Sequence, residues 1–356
     1  MSPYISWRDI SFKSKKKIGE KLMVSSKIKL TFLIATIAGL SLVTVGGFII
    51  FQQSTTSSIQ LGALSGDLHH LPLFVALEND YFEEEGINIQ QDDIVWFQNG
   101  NEAMIAFESG RLDISYLGLA PAMAHKLSQN APIKIISGVN VNGSAIVVRD
   151  DSSINSISDL EGKDIAVPSL NNMQDFILQI ALNNSGVNID NVNRMTLSVG
   201  NMQSMLDEGE IDGFVAWEPH NARAVSNNAK FLNFSSEIWP NHPCCVIASS
   251  LNFLNSDPDA AEKIVKIHKK ALTWMENPSN HGTLINVAKK YTGISDDSTI
   301  DIALNNIGYV YNFSSYQSEI GTFYDKLTDL NNNIDPWSAG KDSFFQEFLE
   351  NSYLNT

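Results

Sequence analysis

The chain has 356 residues, 43% of them hydrophobic and 18% charged, with 22 Gly, 11 Pro and 2 Cys. That is room for two ordinary domains with a sizeable core, and it excludes a collagen, a disulfide scaffold and a mainly disordered chain. Charge is split unevenly: residues 1–58 carry a balance of +6 and the remaining 298 a balance of −22, so the larger part repels phosphate backbones and nucleic-acid binding is not expected.

Leu30–Phe51 is a stretch of 22 residues without a charge, long enough for a helix to cross the roughly 30 Å hydrocarbon core. Seven lysines between Lys13 and Lys29 precede it, and the polar, uncharged 52–58 follows. The positive-inside rule makes 1–29 a cytoplasmic basic segment, 30–51 a single-pass signal anchor and 52–58 a linker, with the rest of the chain outside the cell membrane. A cleaved signal peptide is the competing reading. The apolar stretch exceeds the usual ~7–15 residues for one, and the basic region before it is long. With no Cys nearby, lipid anchoring is not expected.

From Ile59 onward, strand-like runs alternate with helical ones. Ile59–Leu64, Ile87–Ile94, Leu112–Leu117, Ile133–Ser137 and Ala145–Val148 read as strands; Leu73–Glu84, Asn101–Glu108 and Ala120–Ser128 have helical spacing. The pattern resumes with a strand at Asp164–Val167, a helix at Asn172–Asn183, a strand at Met195–Val199, a helix at Asn201–Glu208 and a strand at Ile211–Ala216. This predicts an α/β fold with mostly parallel strands. After Val246–Ser249 the strands are expected to stop, leaving five helices over 257–276, 280–291, 298–310, 318–330 and 342–350.

One unit occurs twice. Gly100-Asn101 leads through a helix to Glu108-Ser109-Gly110, a buried strand and Pro121; Gly200-Asn201 leads the same way to Glu208-Gly209, a strand and Pro219. Glycine suits the helix C-terminus and proline the first turn of the next helix. Two similar α/β lobes are therefore expected, each aiming a strand's C-terminal end at a shared crevice, where open α/β sheets bind ligands.

Four stretches, in order, carry a resemblance: Pro72–Leu77 with Tyr81–Gly86, Asp113–Pro121, Ile157–Pro168 and Ala216–Pro219. Together they span about residues 59–255, and the chain there resembles the extracytoplasmic substrate-binding proteins of ABC importers. The resembling group is the nitrate/sulfonate/taurine/bicarbonate cluster, which also contains relatives of the thiamine-pyrimidine synthases. The resemblance implies a two-lobed, periplasmic-binding-protein-like fold of type II that closes on a small molecule and hands it to permease subunits. Mapped here, lobe one is 59–142 plus 246–356 and lobe two is 143–245. The crossovers fall near Gly143–Ala145 and Cys245–Ile247.

In such a fold the loops at strand ends touch the ligand. They supply the candidate residues Asp67, His69, His70, Leu119, Asn142, Gly143, Ser144, Asn171, Asn172, Met173, Trp217, Glu218, His242 and Cys244. Helix starts among them offer backbone N–H groups, and Trp217 can stack on a ligand. None of these loops carries Lys or Arg, which leans the ligand toward neutral or cationic. His69-His70 and His242-Pro243-Cys244-Cys245 leave three readings open: a soft-metal site, a strained vicinal disulfide and plain burial. The expectation carried forward is that the two loops are neighbours, with no metal and no cofactor.

Catalytic signatures are lacking: there is no Gly-x-Ser-x-Gly, no phosphate loop with Lys and no His-Glu-x-x-His. A membrane-anchored solute receptor of an ABC importer is therefore expected over an enzyme. The alternatives are a pyrimidine-precursor synthase-like or metal-dependent enzyme on the same fold, and a tethered sensor.

Overall fold

The computed structural model describes residues 59–170, 172–330 and 334–355. The basic segment, the expected membrane span and the linker lie outside the described residues. Among those described, no helix is long and apolar enough to cross a membrane.

The first run of chain comprises β1 (Leu61–Leu64), α1 (Leu71–Glu78), α2 (Tyr81–Glu84), β2 (Val95–Phe97), α3 (Gly100–Glu108), β3 (Ile114–Gly118), α4 (Leu119–Gln129) and β4 (Ile133–Asn142). Next come β5 (Ser144–Arg149), β6 (Asp164–Val167), α5 (Met173–Asn184), β7 (Asn193–Thr196), α6 (Val199–Asp207), β8 (Gly213–Trp217), α7 (His220–Val225), β9 (Ala229–Phe234) and α8 (Ser235–Ile238). The chain then returns through β10 (Pro243–Ser250) to α9 (Leu251–Ser256), α10 (Pro258–Met275), α11 (His281–Thr292), α12 (Asp297–Asn305), β11 (Ile307–Tyr309), α13 (Gln317–Leu330) and α14 (Lys341–Phe348).

Two sheets form. One has the order β11-β4-β10-β3-β1-β2 and the other β7-β6-β8-β5-β9. β1 is parallel to β2 and β3, while β10 runs antiparallel between β3 and β4. In the second sheet β6 is parallel to β7 and β8, and β5 lies antiparallel between β8 and β9. The chain passes between sheets at Gly143 and again after α8. Each parallel pair needs a crossover, and α1 with α2, α3, α5 and α6 supply the helices.

The duplicated unit has a shared physical cause. After α3, Gly110 (φ +67) lets Gly110 N–H reach Phe107 O at 2.9 Å and Arg111 N–H reach Ala106 O at 2.9 Å. After α6, Gly209 (φ +75) does the same with Leu206 O at 3.1 Å and Met205 O at 3.0 Å. Both are Schellman turns, which a residue with a Cβ enters at a cost. Each turn launches a buried strand, β3 or β8.

Four expectations need correction. Ile87–Ile94 is not a strand: Ile87, Ile89 and Ile94 are buried anchors of an irregular segment, closed by a capping box between Gln90 and Asp93, and pairing begins only at Val95. Leu73–Glu84 is two helices, broken at Asp80 with φ 57. Strands do not stop at Ser249, because helix 298–310 ends at Asn305 and Ile307–Tyr309 pairs on the β4 edge. Val199 opens α6 rather than closing a strand.

The C-terminal helices do not stay with one sheet. Phe323 of α13 stacks edge-on against Phe176 of α5, ring centroids 5.1 Å apart, while Leu349 just after α14 bridges to Ile135 of β4. The last segment therefore fastens both halves, by a ring contact on one side and a backbone bridge, with Glu350 N–H donating to Ile135 O at 2.8 Å, on the other.

Candidate functional site

A cleft of about 450 Å³ lies at the C-terminal ends of the parallel strands. Four helices begin on its wall. Their N-cap residues, Asn99 for α3, Gly118 for α4, Asn172 for α5 and Ser198 for α6, all line it. Asn99 and Asn172 cap their own helices through side-chain oxygens, whereas Gly118 and Ser198 provide no side-chain cap. Two helix starts come from each half of the fold, so the cleft collects the positive ends of four macrodipoles. No Lys or Arg is among the described residues that line it.

The floor is built where the chain first changes sheets. Gly143 has φ +84, and a Cβ there would stand 2.3 Å from His69 Nε2. Its carbonyl accepts two hydrogen bonds, from His69 Nε2 at 3.1 Å and from Glu218 N–H at 2.9 Å. His69 is thereby turned so that Nδ1 faces the thiols of Cys244 and Cys245, 3.4 and 3.7 Å away. Asp67 accepts from His69 N–H at 2.9 Å, and its Oδ1 stands 3.7 Å from the same Nδ1. Burial pushes the Asp67 carboxyl up to about 6, against the pull of His69. For His69 burial works downward, but Cys244 and Asp67 outweigh it and push the imidazole up to about 9. The Cys244 thiol is held well below its ordinary value by a hydrogen bond from Cys245 and, against burial, by His69. Both cysteines are free.

Of the candidates, Asp67, His69, Asn172, Met173, Trp217 and Cys244 stand on the cleft wall. The loops carrying His69 and Cys244, 175 residues apart, are in direct contact. Seven others stand behind the wall. His70 is fully buried, its Nδ1 accepting from Leu64 N–H at 3.1 Å and its ring edge-on to Tyr116. Leu119 is buried in the first turn of α4. Asn142 donates its N–H to His242 O at 3.0 Å. Gly143 acts through its carbonyl. Ser144 Oγ accepts from Gln174 Nε2 at 3.1 Å, placing that amide on the wall. His242 is buried with neither ring nitrogen partnered, and burial lowers it to about 4. Asn171 lies outside the described residues.

Glu218 is the seventh. It is fully buried, accepting from Ala222 N–H at 3.0 Å and from Asn306 Nδ2 at 2.7 Å, while its own carbonyl accepts Leu68 N–H at 3.3 Å. It joins the two halves behind the cleft. Burial pushes its carboxyl up to about 7.

Several wall residues were outside the candidate set. Gln98–Asn101 and Ser198–Val199 were within reach of the sequence, since the duplicated unit begins there. Leu327 and Ile334 reach the cleft from α13 and the segment after it, and no motif marks them.

Residues 52–289 match the model of the NMT1-like family. The chain belongs to that family. Among its relatives, the nitrate/nitrite binding protein NrtA of Nostoc sp. strain PCC 7120 is 22% identical over 67% of this chain, which spans 59% of NrtA. A putative aliphatic sulfonates-binding protein of Bacillus subtilis strain 168 is 25% identical over 78% of this chain and 85% of its own length. The periplasmic aliphatic sulphonate binding protein SsuA of Escherichia coli has the same fold, with a TM-score of 0.67 over 83% of this chain and 98% of SsuA at 15% identity. This NMT1-like chain thus has the two-sheet α/β architecture of periplasmic binding proteins, and these relatives are solute-binding proteins.

Glu218 gives a pH test. Its folded value lies above its ordinary 4.5, so its contribution to stability is full below that value and is lost as pH rises through about 7. A glutamine keeps both contacts once the Asn306 amide turns end for end. The stability of the wild type relative to Glu218→Gln should therefore fall by on the order of 3 kcal/mol between about pH 4.5 and pH 7. Denaturant melts across that range check it, and a difference that stays flat with pH contradicts it.

Proposed function

We propose that this chain is the extracytoplasmic solute-binding component of an ABC import system, capturing a small molecule with an anionic head group and performing no covalent chemistry. The observation that carries the reading is the convergence of four helix N-termini on one cleft. Each favours a nearby negative charge by about 0.3–2 kcal/mol, and together they stand in for a cationic side chain. Loops without Lys or Arg had leaned toward a neutral or cationic ligand; the helix starts reverse that lean. The names of the nitrate- and sulfonate-binding relatives support the same direction. ABC permease subunits are the partners implied.

The uncharged stretch 30–51, preceded by seven lysines, supports an anchor that holds the binding unit outside the membrane. Protease added to intact cells should digest residues beyond 58 and spare a short N-terminal fragment. Protection of the large unit contradicts that orientation.

For the ligand, a thermal-shift series on the full-length chain compares an alkanesulfonate with the matching alcohol and amine. The sulfonate should raise the melting temperature and the other two should not. Stabilisation by the amine alone overturns the anion reading. Trp217, half-buried on the wall, stands edge-on to His220 at 5.8 Å. Trp217→Ala should weaken sulfonate binding about 3- to 10-fold through lost ring contact while leaving the melting temperature of the free protein in place. A lower melting temperature with unchanged affinity assigns the ring to packing instead.

A further inference from the structure

Consecutive residues on a strand point to opposite faces, so Cys244 and Cys245 of β10 should diverge. They do not. The register of β10 on β4 slips between Pro243 and Cys245 and again between Cys245 and Val246, and Asn140 Oδ1 accepts the Cys245 N–H at 3.0 Å. This bulge turns both thiols toward His69. Bulges beside functional sites commonly re-aim a side chain in this way.

We propose that Cys244, Cys245 and His69 form a zinc site whose fourth position opens onto the cleft. The three ligand atoms lie within 4.8 Å of one another. With Zn–N near 2.0–2.1 Å and Zn–S near 2.3 Å, a tetrahedral site requires N···S edges of about 3.5–3.6 Å. His69 Nδ1 stands 3.4 Å from Cys244 Sγ and 3.7 Å from Cys245 Sγ. The imidazole is also held as a metal-ligating histidine usually is, with its other nitrogen donating to a backbone carbonyl, here Gly143 O at 3.1 Å.

Neighbouring histidine chemistry separates ligand from bystander. His70 Nδ1 accepts the Leu64 N–H, so its proton is on Nε2 and that nitrogen has no lone pair for a metal. Charge selects among thiophilic ions. All three ligands are at least nine-tenths buried, and a buried site favours a near-zero sum. Two thiolates cancel a divalent ion, whereas a monovalent copper would leave net negative charge beside Asp67. Asp67, His69, Cys244 and Cys245 all line the cleft, so the side of the site away from the protein faces the solute space, as in zinc centres with three protein ligands.

The site is tested with zinc alone, independently of any solute. Full-length, tag-free protein is reduced, stripped with a chelator and titrated with zinc against a chromogenic chelator. One zinc per chain is expected, and Cys244→Ser or Cys245→Ser should each weaken it by more than about 100-fold, beyond the loss typical of outer contacts. His70→Gln should leave the affinity within about threefold, since that ring is not a ligand. Zinc binding that is absent in the wild type, or equally tight in Cys244→Ser, overturns the site. Cobalt added to the wild type guards against variants that fail to fold: a thiolate-to-cobalt charge-transfer band supports the proposal, and cobalt bound without that band overturns it.

Discussion

The carbonyl oxygen of Gly143 is the point at which the two halves of this protein are tied together. It accepts His69 Nε2 from the first half and the Glu218 N–H from the second, at the residue where the chain leaves one sheet for the other. Only a glycine fits: φ is +84, and a Cβ would collide with the His69 ring. The close approach that excludes a side chain is the same one that fixes His69 toward the thiols. Glu218, held by Asn306 and Ala222, extends this junction behind the cleft. A buried carbonyl with two donors is fully satisfied, so separating the halves here would leave polar groups unpaired, at about 1–3 kcal/mol for each.

From this junction the cleft follows. The two parallel portions, β2-β1-β3 and β7-β6-β8, bring the C-terminal ends of their strands to it, and helices that follow strands begin where strands end. Four helix starts therefore meet around one space as a consequence of topology. Their combined dipoles put positive potential into the cleft without the desolvation cost of burying a mobile cation.

Much of this was legible in the sequence, for identifiable reasons. Gly110 and Gly209 are required by φ, and the strands that follow them are continuous apolar runs, so the duplicated unit stood out. Trp217 and Cys244 were reachable because strand ends can be located from the same pattern. What stayed hidden depends on long-range geometry. Ile87, Ile89 and Ile94 imitate a strand because burial, not pairing, selects their side chains. Ile307–Tyr309 becomes a strand only because β4 offers an edge. The shared orientation of Cys244 and Cys245 comes from a register slip against β4 that their own sequence does not encode. His70 sits beside His69 in the chain, yet a hydrogen bond to Leu64 N–H turns it into the core. Leu327 and Ile334 reach the cleft only because α13 folds across to Phe176.

The central claim is that solute is held between the two halves by the starts of α3, α4, α5 and α6. A crystal structure of the full chain with a bound alkanesulfonate tests it most directly. The account predicts the sulfonate oxygens within hydrogen-bond distance of backbone N–H groups from helix starts of both halves, with Trp217 against the alkyl chain. A sulfonate bound outside the cleft, or held by one half alone through a lysine or arginine, would contradict it.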